Sequence, residues 1–315
     1  MEVKPTIGGQ AVIEGVMMRG PEMVATAVRE PSGEISVKTE KVSTITSRYP
    51  ILKKPMLRGV IALGESLILG LKSLSYSAQR AGEEGEELSD REIMMTMLFS
   101  LGLAIVLFVI IPTAAAKYIH GAIEDPLWLN LAEGGLRMVI FLGYIYGISR
   151  LKDIQRVFQY HGAEHKTIHA YEAGVDLTVE NVQKYTTLHP RCGTAFLLIV
   201  MIMSIVIFAF LGWPDLWLRI LSRIVMLPVV AGISYEIIRY AGRTDNSVMQ
   251  LAIQPGLWLQ KLTTRQPDDE QVEVAIKALE AVKLKDEAEE VVNQIEEQLE
   301  TAPVEKENTD VRGEN

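Results

Sequence analysis

Two long apolar runs limit what this chain can become. Residues 93–116 read IMMTMLFSLGLAIVLFVIIPTAAA and residues 194–213 read TAFLLIVMIMSIVIFAFLGW. Each approaches the roughly 20 apolar residues that a helix needs to cross about 30 Å of hydrocarbon. A helix satisfies its backbone polar groups internally in that setting, so these runs read as spans. Residues 131–148 and 218–240 are apolar too, with Glu133, Arg137, Arg219, Arg223 and Glu236 mostly toward their ends, and read as two more. With 48% hydrophobic and 23% charged residues, the two kinds must occupy separate parts of the chain.

Four crossings return the chain to the side from which it starts, and loop charge selects that side. Lys53, Lys54, Arg58, Arg80 and Arg91 precede the first span, and Arg150, Lys152, Arg156, Lys166, Lys184 and Arg191 fill the connection between the second and third. The other two connections hold little beyond Lys117 and Arg219. Positive charge gathers on the cytoplasmic side. The expectation is a multi-pass plasma-membrane protein with both termini and the loop over residues 149–193 in the cytoplasm. Met1-Glu2-Val3-Lys4-Pro5 offers no apolar h-region of a secretory signal. The single Cys192 excludes an internal disulfide framework and suits a reducing compartment.

Residues 266–315 hold sixteen acids and five bases, a balance of −11 within a total of −9, so residues 1–265 carry about +2. Nothing resembles the basic patch of a nucleic-acid-binding protein, while a mildly basic inner face suits anionic lipid. Residues 23–42 alternate around Pro31-Ser32-Gly33 as two short strands, and four glycines punctuate the run from Ile7 to Gly20. In residues 56–77, Arg58, Glu65 and Lys72 recur every seven positions on an otherwise apolar helix. That pattern fits a helix lying in the membrane interface, with a re-entrant hairpin as the other arrangement. The acidic run over residues 82–87 leads through Ser89, an N-cap, into the first span. Beyond the last span, residues 251–262 read as a surface-hugging segment. Asp268 then begins a charged helix whose stripe of Val272, Ile276, Leu279 and Val282 needs covering.

The fold expected is a mainly α membrane protein with about four transmembrane helices, a small cytoplasmic β element, an interfacial amphipathic helix and a soluble C-terminal helix. Its parts are a glycine-rich segment and β-hairpin (1–55), the amphipathic helix and acidic linker (56–92), and the four-span domain with its histidine loop (93–240). A surface segment and charged helix (241–300) and a disordered tail (301–315) follow.

Four of the five histidines fall between residues 161 and 189, in HGAEHKTIHAYE (161–172) and HPRCGT (189–194). At about 100° per residue, His161, Glu164, His165, His169 and Glu172 share an arc of about 140° on one helix. Imidazole and carboxylate bind divalent transition metals or shuttle protons near neutral pH. The spacing fits the H-x-x-E-H pattern of inverted zinc hydrolases, in which two histidines hold the metal and the glutamate is the base. The candidate metal ligands are therefore His161, His165, His169, His189, Cys192 and Glu172, with Glu164 as the catalytic group and zinc as the divalent metal. Glu14 and Arg19 would complete the site if the N-terminal segment folded over it. His120 belongs to the opposite side, and Glu236 reads as an ion-pair partner of Arg239. Membrane oxygenases with histidine boxes need more histidines than the five present. Transport is disfavoured by the scarcity of polar residues within the spans and by the lack of an inverted repeat.

With GGQAVIEGVMMRGP (8–21), the two histidine segments and PGLWLQKLTTRQPDD (255–269), the chain closely resembles the YqhQ-like family over roughly residues 5–285. These are bacterial integral membrane proteins of unknown function, often labelled predicted metal-dependent enzymes. The resemblance implies that His161, Glu164, His165, His169, His189 and Cys192 occupy the family's motif positions, and it specifies no reaction. The function expected is a metal-dependent, hydrolase-like enzyme acting at the cytoplasmic membrane surface on a membrane-associated substrate. The alternative is a non-catalytic accessory factor of a membrane or translation machine, such as the translocon or ribosome, with the histidines as a structural site.

Overall fold

A computed structural model describes residues 7–42, 44–82, 89–119, 121, 123–241 and 246–284. The acidic run at 83–88, His120 and everything beyond residue 284 lie outside the described residues.

Strands β1 (Gly8–Val12), β2 (Gly15–Arg19), β3 (Met23–Arg29) and β4 (Ile35–Lys41) form an antiparallel meander in that order. The β3–β4 hairpin lies where alternation put it, with Arg29 opposite Ile35. The glycine-rich run adds β1 and β2, a pair that sequence reading left as glycine punctuation. Strand residues point alternately to the two faces. Val16, Met18, Ala25 and Ala27 therefore join one core while Met17 and Val24 join another.

A short helix α1 (Ile45–Arg48) and a 3-10 turn (Pro50–Lys53) lead into α2 (Leu57–Arg80), the amphipathic helix. Helix α2 covers the second face of the sheet, where Leu69 packs with Met17, Val24 and Val42 and the Thr26 hydroxyl donates to Ser73 at 2.9 Å. Ser89 caps α3 (Asp90–Ile105) in a full capping box with Glu92. That helix runs on through a π turn (Val106–Ile110) into α4 (Ile111–Ile119). Then come α5 (Pro126–Ile148), α6 (Lys152–Ala173), α7 (Val179–Gln183), α8 (Gly193–Ala209), α9 (Leu216–Ala241) and α10 (Ser247–Thr263). A last helix, α11, covers residues 269–284.

Among the described residues, three helices are long and apolar enough to cross a bilayer: Arg91–Ala116, Pro126–Ile148 and Leu216–Ala241. They present large apolar side chains outward, Phe99 at 75% exposure and Trp217 at 73% among them. A continuous outward apolar surface of this kind is consistent with membrane association. The run at 194–213 departs from expectation. Its helix is the 17-residue Gly193–Ala209, about 25 Å long, because the chain turns at Gly212 with φ of 71° before Pro214. Helix α8 instead forms the middle of the bundle, touching α5, α9 and α10. Helix α10, which contains the surface-hugging segment expected at residues 251–262, packs on α8 and buries Ile253, Leu259 and Gln260.

Glu133 anchors a set of paired charges inside the bundle, while the buried Arg219 guanidinium lies over the Trp213 ring, 4.0 Å from its centroid. Glu133 accepts from Arg137 at 2.9 Å, from Arg223 at 2.5 and 2.8 Å, and from Thr113 at 3.2 Å, tying α4, α5 and α9 together. Glu236 binds Arg58 of α2 through both oxygens rather than forming its hydrogen bonds with Arg239.

The first sheet face packs on α6 and α11. Val272, Ile276, Leu279 and Val282 are buried there against Tyr160, Ala163 and Ile168, so the stripe that needed covering is covered within the chain. Helix α6 is not a continuation of α5. The Ser149 carbonyl at the end of α5 accepts from Arg265 at 3.0 Å, and α6 restarts at Lys152 on its own axis. Close approach of α6 to the segment leading into α11 requires Gly162, since a Cβ there would stand 2.0 Å from the Arg265 carbonyl oxygen. Gly162→Ala should therefore destabilise the protein by about 1–3 kcal/mol, the usual range for overpacking against atoms that cannot move aside. A melting temperature in detergent equal to that of the unchanged protein would contradict this packing.

Candidate functional site

Helix α6 carries the histidines because it has two packed faces rather than one. Tyr160, Ala163 and Ile168 enter the core beside the sheet, while His161 and His165 turn toward the loop that precedes α8. The helix stops at Gly174, in a left-handed conformation with φ of 75°. There the Val175 amide reaches back to Ala170 and the Gly174 amide to Tyr171, a C-terminal Schellman arrangement. The chain then returns through α7 and residues 184–192, laying backbone carbonyls along the histidine face.

Those carbonyls fix the rings. His165 Nδ1 donates to Thr187 at 2.6 Å, His161 Nδ1 to Thr263 at 2.8 Å, and His169 Nε2 to Leu188 at 2.9 Å. A carbonyl can only accept, so each of these nitrogens carries the proton and the opposite nitrogen of a neutral ring is left with its lone pair. His161 Nε2 faces Cys192 Sγ at 3.2 Å, and His165 Nε2 is buried with no hydrogen-bond partner among the described residues. The ligand atoms of His161, His165 and Cys192 lie within 4.8 Å of one another.

The rings continue in a row, with centroids 4.4 Å apart from His161 to His165, 5.6 Å from His165 to His189 and 4.6 Å from His189 to His169. His169, Glu172 and His189 form a second group whose ligand atoms also lie within 4.8 Å of each other. The single site expected from one helical face is thus two adjacent groups. In the second group the Glu172 carboxylate is bound by Arg191 and stands 3.6 Å from His189 Nε2. Burial pushes the His189 imidazole down to about 4. That ring is neutral at neutral pH, and the charge partner of Glu172 is Arg191.

Burial likewise lowers His165 and His169, keeping both rings in the unprotonated form. Burial alone would raise the Cys192 thiol. The His165 imidazole beside it and the Thr194 hydroxyl and amide turned toward the sulfur outweigh that effect and leave it below the usual thiol range. Cys192 is the N-cap of α8, accepting from the Thr194 amide at 3.3 Å.

Glu164 stands apart from both groups. It is buried under β1 at Gly9, where a Cβ would come within 2.9 Å of its side chain, and its Oε2 finds no hydrogen-bond partner among the described residues. Burial, opposed by His161 and reinforced by Cys192, raises its carboxyl to about 8. The N-terminal segment does fold over the site, but through Gly9. Glu14 turns to Arg156 and to the Tyr160 hydroxyl, and Arg19 turns to Glu65.

Sequence reading missed the residues that hold the ligands. Gln260, fully buried on α10, accepts from the His189 amide at 2.8 Å and donates back to the His189 carbonyl at 2.8 Å. Thr263 and Thr187 contribute only carbonyls to the rings, a role no side chain advertises. The one signal was the string around Gln260 and Thr263, quoted above for its resemblance and not for chemistry.

The raised carboxyl gives a test by pH. A folded-state value of about 8 against an ordinary 4.5 means that the folded protein holds the Glu164 proton more tightly, so stability falls as pH rises through that window. Glu164→Gln keeps the shape without the ionisation. In chelator-treated protein its melting temperature should match the unchanged chain near pH 4.5 and exceed it increasingly toward pH 8; a difference constant across the window would show that Glu164 titrates normally.

Comparison with known proteins adds a family. The family described as protein of unknown function DUF1385 matches residues 54–285. The chain is 39% identical over 298 residues to the uncharacterized protein YqhQ of Bacillus subtilis (strain 168), covering 88% of this chain and 92% of that protein. No solved structure matches.

Proposed function

The chain belongs to the DUF1385 family of proteins of unknown function, and from its own residues we propose a metal-dependent membrane enzyme of hydrolase type. Its metal ligands are His161, His165 and Cys192. The observation that carries the reading is the buried His165 Nε2, which has a lone pair, the Cys192 thiol beside it and no hydrogen-bond partner among the described residues, while its other nitrogen is tied to a backbone carbonyl. Metal-binding histidines are held in this way, with the second nitrogen bonded to a carbonyl or carboxylate. A buried polar atom left unmatched costs about 1–3 kcal/mol, which a ligand would relieve. Two imidazoles and a low-lying thiol suit zinc among the divalent ions.

When bound, such a metal supplies Lewis acidity toward water or a carbonyl or phosphoryl oxygen. Glu164, buried within electrostatic reach of His161 and Cys192 with its carboxyl raised to about 8, can give up or take back a proton close to neutral pH, as a general acid or base must. Gln260 keeps His189 in place through both of its backbone bonds, and Gly9 closes β1 over Glu164 to keep bulk water out. His169, His189 and Glu172 extend the donor row, with Arg191 taking the carboxylate's charge.

The reading includes a four-crossing topology in which the shorter α8 is the third crossing, with the site and both termini on the cytoplasmic side of the plasma membrane. Its support is the distribution of Lys and Arg between the connections. The substrate would then be membrane-associated. The accessory role rested on amphipathic surface left without an internal partner. The sheet, α2 and α11 bury much of that surface against one another and α6, which favours the enzyme.

Metal content of the purified protein tests this. The unchanged chain should carry about one divalent metal ion, zinc foremost. The double variant His161→Ala, His165→Ala should lose it, and Glu164→Gln should retain it. An unchanged chain free of stoichiometric metal after purification without chelators would refute the metal reading.

A further inference from the structure

A concave cleft lies beside the histidine row, joined to it through Arg191. It is a cleft of about 690 Å³ between α2 and the end of α9, closed on its other sides by the end of β2, the chain that leads into α2, and Arg191. Five cations line it, Arg19, Lys53, Arg58, Arg191 and Arg239, with one carboxylate, Glu65. Three of the five are held by acids: Arg19 by Glu65, Arg58 by Glu236, and Arg191 by Glu172. Lys53 and Arg239 form no ion pair within 4.0 Å among the described residues. The cleft therefore has an excess of two positive charges converging on a concave surface, which draws an anion.

Its walls are partly apolar. Tyr235 and Ile238 of α9 and Ala62 of α2 lie among the cations. Around α2 from Glu65, Ile68 follows at about 60° and leads into a continuous exposed face with Leu67 and Leu71. A helix that turns such a face outward beside basic residues is built for the boundary between acyl chains and headgroups. The volume lies in the range of small-molecule sites, roughly 300–1,000 Å³, so there is room for a phosphate and the polar group attached to it. Planar guanidinium groups match phosphate oxygens in pairs, and Lys53 adds a point charge.

Arg191 joins this cleft to the site. Its guanidinium lines the cleft and also binds Glu172, whose carboxylate stands 3.6 Å from His189 Nε2. An anion in the cleft thus lies one side chain from the donor row.

We propose that this cleft is the headgroup site for a phosphate-bearing membrane lipid, with Lys53 and Arg239 contacting the phosphate, Arg191 directing the headgroup toward the histidines, and the acyl chains lying along α2. This names the substrate class of the enzyme proposed above and rests on that reading for its catalytic meaning, though the binding is measurable by itself.

The test uses the full chain in a neutral detergent, titrated with dihexanoyl phosphatidic acid, with dihexanoylglycerol, which has the same chains and no phosphate, and with inorganic phosphate. Phosphatidic acid should bind at least tenfold more tightly than either of the others. The double variant Lys53→Gln, Arg239→Gln should lose at least tenfold of that affinity, with metal content and melting temperature unchanged. Equal binding of dihexanoylglycerol would overturn the phosphate recognition, and equal binding of inorganic phosphate would overturn the lipid as its source. Undiminished binding by the variant would remove the cleft from the proposal. Lipid binding in a chain devoid of metal would leave the headgroup site standing and defeat the enzyme, whereas metal without lipid selectivity would do the reverse.

Discussion

Backbone carbonyls accepting from imidazole N–H groups are the interaction on which the arrangement of this protein turns. The carbonyls of Thr187, Leu188 and Thr263 each accept a hydrogen bond from a ring on α6, and through those bonds the loop before α8 and the end of α10 are pinned to one helix. Remove them and α6 would be a polar helix with no reason to lie against the bundle. With them, the three rings acquire fixed orientations, and the free nitrogens of His161 and His165 are turned toward Cys192 and the buried interior. Each bond contributes only about 1 kcal/mol net. Their larger effect is orientation, because a ring that is tied at one nitrogen presents the other at a set place.

The same bonds join two kinds of structure. The bundle around α8 has outward apolar side chains and pairs its interior charges at Glu133. The sheet, α6 and α11 make an ordinary core of valine, alanine and isoleucine. The donor groups lie where the two meet, with Cys192 capping α8 and the histidines on α6. Helix α2 spans the same junction, holding the sheet through Thr26 and Ser73 and α9 through Arg58 and Glu236. A site at such a seam takes its rigidity from both sides, which suits groups that must be held within fractions of an ångström.

Much of this was legible in the chain. Long apolar runs declare themselves by length and composition, and three of the four gave membrane-length helices. The fourth is a 17-residue helix because Gly212 and Pro214 end it, a punctuation that an apolar count passes over. The hairpin at 23–42 showed its alternation, while β1 and β2 hid theirs behind glycines that serve close packing instead. The histidines were visible as a cluster, but their division into two groups was not, since a helical wheel ignores what approaches from outside. Gln260 and the carbonyls of Thr187 and Thr263 act through backbone placement, which depends on how distant segments meet. Glu164 was legible as a neighbour of the ligands and not as a buried carboxyl under Gly9, because the contact joins residues far apart in sequence.

The central claim is that His161, His165 and Cys192 form one donor set. X-ray absorption at the metal edge of the purified protein reads this directly. The account predicts a mixed first shell with one sulfur at about 2.3 Å and nitrogen at about 2.0–2.1 Å, the sulfur vanishing in Cys192→Ser. A first shell made only of nitrogen and oxygen in the unchanged protein would contradict it.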